Sequence, residues 1–445
     1  MEKIHSLSLS RIFRFWLPLS ATWLMMSVEG PYLSAIIARM PRAEYNLAAY
    51  GVAFSFAMIM EAPIIMMMSA SVAIVKSRYT FFKLRSFTYI LNAIITVLIV
   101  IFILPPVFYY VAEDLVRLPA EVARLTHIAT IILIPWPAAI GYRRFYQGIL
   151  IRNNLTRRVA YGTVVRLSSM SLTALIMFLS TKLSGAIVGA SALSAGVVCE
   201  AAASRLMAAK TVSRLKHEET PLVPEALSFR EIFNFYYPLA LTSILTLAVN
   251  PMITFFMGQS RMALESLAVL PVVNSFIFIF KSFGVSYQET AIALFGENKK
   301  EYYPLRNFAL IIGILSTLAL ILIAFLPLAD VWFIDVSGLS ERLASIARPP
   351  LMILALIPGL EVLINFQRAV LVDSRATRYI TTATAIEVGG IILTLFITIQ
   401  YFAFIGVIAA ALAMLLGRIG ANIYLFPPFM KHRTPERHLK VKKMQ

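Results

Sequence analysis

The chain has 445 residues, 40 of them basic and 23 acidic, with 59% hydrophobic residues and a mean hydropathy of +0.78. Soluble domains carry about 25% charged and at most about 50% apolar residues, so this balance excludes a soluble globular domain and predicts an integral membrane protein. One cysteine and five scattered histidines exclude a disulfide framework, an iron–sulfur site and a zinc site built on those residues.

A span needs about 20 apolar residues. Breaking the chain at charged and turn-rich clusters predicts twelve: 12–38, 47–75, 86–111, 122–142, 159–180 and 184–208, then 232–258, 264–294, 304–328, 343–365, 378–401 and 405–430. No small-residue cleavage site follows Met1–Ser10, so the first apolar stretch is expected to be a retained span rather than a signal peptide. With the N-terminus in the cytoplasm, 30 basic residues fall on the inner side and eight on the outer: Arg39, Arg42, Arg117, Arg124, Lys182, Arg261, Arg342 and Arg348. Lys281 and Arg418 lie deep in spans. That asymmetry predicts cytoplasmic N- and C-termini in a multi-pass inner-membrane protein. The positive charge is then a topology signal facing anionic headgroups, and no nucleic-acid partner is expected.

The spans repeat. At an offset of 220, Ile12-Phe13 maps onto Ile232-Phe233, Pro18-Leu19 onto Pro238-Leu239, Pro31 onto Pro251, Leu47-Ala48 onto Leu267-Ala268 and Gln147 onto Gln367. At 221, Leu84-Arg85 maps onto Leu305-Arg306 and Pro137 onto Pro358. Six spans per half give both halves the same orientation, as in parallel transporter repeats. The predicted fold is all-α: twelve transmembrane helices as two six-helix bundles, related by a pseudo-two-fold axis, around a central cleft. The expected divisions are an N-lobe 1–209, a cytoplasmic linker 210–231, a C-lobe 232–430 and a basic cytoplasmic tail 431–445.

Pro18 and Pro238 early in the first span of each half, with Leu47-Ala48-Ala49-Tyr50-Gly51 and Leu267-Ala268-Val269 downstream, resemble the MATE exporters. So does Gln147-Gly148-Ile149-Leu150 followed by Thr156-Arg157. These exporters belong to the multidrug/oligosaccharidyl-lipid/polysaccharide flippase (MOP) superfamily. Glu29, Leu47-Ala48-Ala49-Tyr50-Gly51 and Tyr237-Pro238-Leu239-Ala240-Leu241 are also similar to its progressive-ankylosis branch. The MATE resemblance implies H⁺- or Na⁺-coupled antiport of amphipathic, cationic organic compounds, a multidrug efflux activity, by alternating access. The alternatives are export of small anions, pyrophosphate or carboxylate, and flipping of a lipid-linked substrate. Many MATE proteins carry an acidic residue in span seven, where this chain offers Asn250 before Pro251, so a cation site is not carried over whole. The chain contains no P-loop or nucleotide-binding segment. Neither an enzyme nor a bound cofactor is expected, and the energy source is an ion gradient. A monomer acting on a small organic molecule within the bilayer is the expected working unit.

Charged groups at membrane depth cost about 2.5 to over 10 kcal/mol, so those that persist line cavities or pair. Glu29 precedes Gly30-Pro31, and Glu61 stands two residues before Pro63. Each proline removes a backbone donor and frees a carbonyl. A carboxylate beside freed carbonyls suits Na⁺, and a desolvated one suits H⁺, so Glu29 and Glu61 are the candidate N-lobe coupling or substrate site, with bracing of helices as the competing role. Lys281 occupies the repeat position of Glu61. It contacts an anionic group, neutralises a carboxylate or snorkels. Glu361 after Pro358-Gly359, with Arg368 as competing partner, and Asn250-Pro251 complete the C-lobe candidates. Arg166 with Glu200, and Glu387 with Arg418, are expected to form structural ion pairs with exchanged signs. The methionine run Met58, Met60, Met66, Met67 and Met68, with Phe54, Phe56, Phe276, Phe278 and Phe280, offers adaptable apolar surface. Tyr142-Arg143-Arg144-Phe145 is expected to anchor at the interface, Cys199 to sit in the core and His127 to be hydrogen-bonded. If Glu29 and Glu61 carry coupling, Glu29→Gln and Glu61→Gln each abolish ion-coupled flux in proteoliposomes. Unchanged coupled flux in both variants removes that role.

Overall fold

The computed structural model describes residues 7–153, 155–180, 182–217, 227–295, 301–374 and 376–433. Residues 434–445 of the tail, 218–226 of the linker, and Lys3, Lys299, Lys300 and Arg375 of the topology count lie outside the described residues. Among the described residues the chain is helical, with no β-strand. The first half runs α1 (Leu9–Ser27), α2 (Glu29–Ala38), α3 (Ala43–Glu61), α4 (Met67–Ile74), α5 (Arg78–Phe102), α6 (Pro105–Tyr109), α7 (Ala120–Ile132), α8 (Pro135–Arg152), α9 (Thr156–Ser180) and α10 (Gly185–Met207). The linker begins as a further helix, α11 (Ala209–His217). The second half runs α12 (Phe229–Leu247), α13 (Val249–Gly258), α14 (Ala263–Leu294), α15 (Tyr302–Phe325), α16 (Leu328–Asp330), α17 (Glu341–Ile353), α18 (Ile357–Asp373), α19 (Arg378–Gln400) and α20 (Gly406–His432).

The repeat read from the sequence is present in the backbone. The break after α1 at Val28 recurs after α12 at Ala248, 220 residues on. A π-helical turn at Tyr110–Leu115 recurs at Val331–Val336, 221 residues on. The two halves differ at span two. Residues 62–66 separate α3 from α4, whereas α14 runs unbroken for 32 residues. Pro63 accounts for this, because Phe283 takes its place in the repeat. Ten helical stretches of the described residues are long and apolar enough to cross a membrane. The broken spans α1–α2 and α3–α4 complete the twelve. Side chains such as Ile90, Ile94 and Val97 of α5, and Leu310, Ile314 and Leu318 of α15, are exposed, as lipid-facing surfaces require.

The helices form two compact units, one from Met1–Pro31 with Val269–Gln445 and one from Tyr32–Ala268. The contacts therefore group α1 with the second half and α12–α13 with the first, instead of dividing the chain at the 210–231 linker. Side-chain chemistry explains the exchange. In the first unit the Trp16 indole donates to Ser286 Oγ at 2.9 Å and packs against Phe283 and Phe308. In the second, the Tyr236 hydroxyl donates to the Pro63 carbonyl at 2.7 Å, and Thr254 and Ser55 hydroxyls lie 3.1 Å apart.

Within the second unit α4 and α8 meet at Gly148, where an added Cβ would lie 2.5 Å from Ser71 Cβ and 2.6 Å from the Met68 carbonyl oxygen. Ser71 Oγ donates to the Phe145 carbonyl at 2.8 Å beside it, so this contact has no slack. Gly148→Ala is expected to cost about 1–3 kcal/mol, the usual penalty of overpacking. It should appear as a lower unfolding temperature of the detergent-solubilised protein.

Candidate functional site

In the second unit Glu61 is the last residue of α3 and 5% exposed. The Trp136 indole donates to Glu61 Oε2 at 2.6 Å. Arg143, Arg144 and Arg166 act on the carboxylate electrostatically, and the Arg166 guanidinium stands over the Trp136 ring, 5.6 Å from its centroid. The Glu61 and Pro63 carbonyls at this break are already hydrogen-bonded. Glu61 O accepts from Ile64 and Ile65 amides at 2.9 and 3.1 Å, and Pro63 O accepts from Tyr236.

Glu200 of α10 pairs with Arg143, and Gln147 Nε2 donates to its other oxygen at 3.1 Å. Arg143 is therefore a buried charge at 5% exposure and not an interfacial anchor. Arg143 and Gln147 are four residues apart on α8, so both project to the same helix face. That spacing is the signal from which the Glu200 site was readable. Cys199, next in sequence, is exposed and not in the core. His127 Nε2 lies 2.7 Å from the Ile103 carbonyl.

In the first unit α14, α18, α19 and α20 assemble a second charged cluster. At Gly284 an added Cβ would be 2.9 Å from the Val362 amide nitrogen, so α14 lies against the backbone of α18 one turn from Lys281. Lys281 Nζ is then 3.6 Å from Glu361 Oε2, which also lies 3.1 Å from Arg418 Nη1. Arg418 Nη2 reaches Glu387 Oε1 at 2.9 Å, and Asn365 Nδ2 donates to Glu361 Oε1 at 3.1 Å. Arg368 acts electrostatically on both carboxylates and on Arg418. Pro358 sits in the first turn of α18, after the 3₁₀ turn Leu354–Leu356 that bends this span. The structure thus joins Lys281, Glu361, Glu387 and Arg418 and, with Arg368 beside them, sets three cations against two carboxylates among the described residues.

The other candidates are dispersed. Glu29 opens α2 at 8% exposure and belongs to the first unit, whereas Glu61 belongs to the second. Gly30 beside it abuts Ser275, with 2.5 Å between an added Cβ and Ser275 Cβ, and Pro31 follows. Asn250 and Pro251 lie in the first turn of α13, in the unit that does not hold Lys281 and Glu361. The methionine and phenylalanine runs serve packing in several places. Met67 is buried under Thr88, Phe56 meets Phe102 and Phe108 edge-on, and Phe276 stacks on Trp332. Among the described residues no group of three or more His, Cys, Asp or Glu side chains is placed to hold a metal ion.

No protein-family description and no curated relative matches the chain. Solved structures match along nearly all of it. An inward-facing multidrug resistance MATE family transporter of the MOP superfamily is 15% identical with a TM-score of 0.74, over 94% of this chain and 97% of that one. The lipid II flippase MurJ in an inward closed conformation is 16% identical with a TM-score of 0.74, over 94% and 90%. A MOP superfamily transporter from Pyrococcus furiosus, described as having a binding pocket of reverse polarity, is 13% identical with a TM-score of 0.64, over 95% and 96%. The chain shares the all-α, twelve-span fold of these MOP superfamily proteins.

Removing one member of a buried ion pair strands the other, at a cost of about 3–5 kcal/mol. Glu200→Gln is expected to lower thermal stability in detergent by that order, with Arg143→Met/Glu200→Met recovering most of the loss. If Glu200→Gln matches the parent protein, Arg143 is neutralised by something other than Glu200.

Proposed function

We propose that the chain is a secondary active transporter of the MOP type that exports or flips an anionic substrate, carrying a phosphate or carboxylate group, at the expense of an H⁺ or Na⁺ gradient. One observation carries this reading: among the described residues, Lys281, Arg368 and Arg418 are set against Glu361 and Glu387 inside the first unit, one positive charge in excess. An uncompensated cation at membrane depth is costly, and a transported anion supplies the missing charge. Lys281 is the residue placed to meet it. Its side chain is 22% exposed, and its 3.6 Å contact with Glu361 is longer than either contact of Arg418.

An amphipathic cation, which the MATE resemblance implies, needs a carboxylate to receive it. Glu361 already faces Lys281, Arg418 and Asn365, and Glu61 accepts from Trp136. These engagements favour the anion-exporting alternative over the multidrug one. Two units built on repeated spans suit alternating access, and the exposed apolar faces suit a protein embedded in lipid.

The test uses the full chain in proteoliposomes, following counterflow of labelled pyrophosphate and of a small carboxylate, with ion-gradient dissipation read in parallel. Counterflow of either anion is expected. Lys281→Gln should abolish it, and Lys281→Arg should retain it. Gradient dissipation driven by an organic cation such as ethidium, unchanged by Lys281→Gln, would return the multidrug reading.

A further inference from the structure

The second unit carries a cavity of about 480 Å³ at the ends of α2, α3, α7, α9 and α10. This is the face that the distribution of basic residues places outside the membrane, where only eight lysines and arginines fall. Four of those eight, Arg39, Arg42, Arg124 and Lys182, line this one cavity. Its acidic lining residue, Glu121, is engaged by Arg42. Arg124 and Lys182 are exposed and make no ion pair among the described residues.

The wall is built to hold this shape. Arg42 adopts the left-handed conformation, φ 58° and ψ 45°, which is unfavourable for a side chain with a Cβ. Asn46 fixes it there. Its Nδ2 donates to the Pro41 and Arg42 carbonyls at 2.9 and 3.2 Å, and its Oδ1 accepts from the Ala186 amide at 3.0 Å. The strained turn is thereby tied to the first turn of α10. Ser184, preceding that turn, also lines the cavity, and its buried Oγ has no hydrogen-bond partner. Four cations thus line one concave space whose wall is held in place by the Asn46 bridge between the Arg42 turn and α10, and local strain of this kind collects at ligand clamps.

We propose that this cavity is a phosphate-binding site on the outer face, separate from the Lys281 cluster. It takes a phosphate-bearing anion, supplied by an anionic phospholipid headgroup or by a soluble phosphoanion. Phe178 and Leu183 in its wall lie beside the cations and suit the lipid source.

The experiment uses purified full-length protein in two arms. In the first, phosphatidylglycerol retained after delipidation into detergent is counted by native mass spectrometry. In the second, inorganic pyrophosphate is titrated into the delipidated protein by calorimetry. Arg124→Gln/Lys182→Gln is expected to lower lipid retention or pyrophosphate affinity at least about ten-fold, a loss of about 1.4 kcal/mol. Arg124→Lys/Lys182→Arg should preserve it. Both changes fall on exposed side chains, so the fold is expected to survive, and an unaltered unfolding temperature checks that it has. Lipid retention without pyrophosphate binding that depends on Arg124 and Lys182 assigns a headgroup; pyrophosphate binding that the Arg124→Gln/Lys182→Gln pair removes assigns a soluble anion. If neither ligand is held, or the Gln pair holds it as tightly as the parent, the proposal is overturned. The titration is repeated in the Lys281→Gln protein: pyrophosphate binding that survives Lys281→Gln and is lost on adding Arg124→Gln/Lys182→Gln belongs to the outer site, so loss of anion transport and loss of the outer site are told apart.

Discussion

An ionised group inside hydrocarbon has to be neutralised by its immediate neighbours, and the helices of this protein are packed so that this happens. The glycine contacts show how. Gly284 lets α14 approach α18 closely enough for Lys281 to reach Glu361, and Gly417 admits α19 next to Arg418, with 2.8 Å between an added Cβ and the Glu387 carbonyl oxygen. A side chain at either glycine would separate the helices and leave charges apart. The backbone obeys the same rule, because free carbonyls in lipid are as unwelcome as free charges. The carbonyl at the Pro63 break is therefore held by Tyr236.

The repeat preserves this scaffold and varies the charges on it. Gly196 lies where Gly417 lies 221 residues later, and each makes the close contact between the last two spans of its half. Beside those glycines Arg166 corresponds to Glu387 with the sign exchanged, while the opposite charge on the facing last span shifts in register, Glu200 lying four residues after Gly196 and Arg418 next to Gly417. That shift keeps the helix contact and alters what else the charge meets. Arg418 divides its guanidinium between two carboxylates, whereas Glu200 gathers Arg143 and Gln147 from α8. Glu61 against Lys281 is the plainest divergence. The first ends a helix broken by proline, and the second stands in a continuous one.

The spans, their repeat and the charged residues within them were legible because each rests on local pattern: apolar length, offset matches and isolated ionic groups. Partner choice was less legible. Arg143 and Arg144 are adjacent at the end of a span, so the pair reads as an interfacial anchor until the helix phase shows that Arg143 shares a face with Gln147. Grouping of the first spans was not legible at all. The opening span of each half carries the same framework, Ile12-Phe13 with Pro18-Leu19 and Ile232-Phe233 with Pro238-Leu239, and matched sequences present matched surfaces. What separates them is the donor each carries, Trp16 for Ser286 and Tyr236 for Pro63, and those partners lie 270 and 173 residues away.

The unequal cluster around Glu361 has a division of labour written into its residue types. Arg418 is planar, is fixed by two carboxylates and loses little freedom in holding them, which makes it scaffold. Lys281 is a compact charge on a flexible stem, at the longest distance in the cluster and with the most exposed side chain of its four ion-paired members. A transported ligand has to be released as well as bound, and a cation that returns to Glu361 when the ligand leaves is never stranded. On the anion-exporting reading proposed above, Glu361 is then the resting counter-ion to which Lys281 returns.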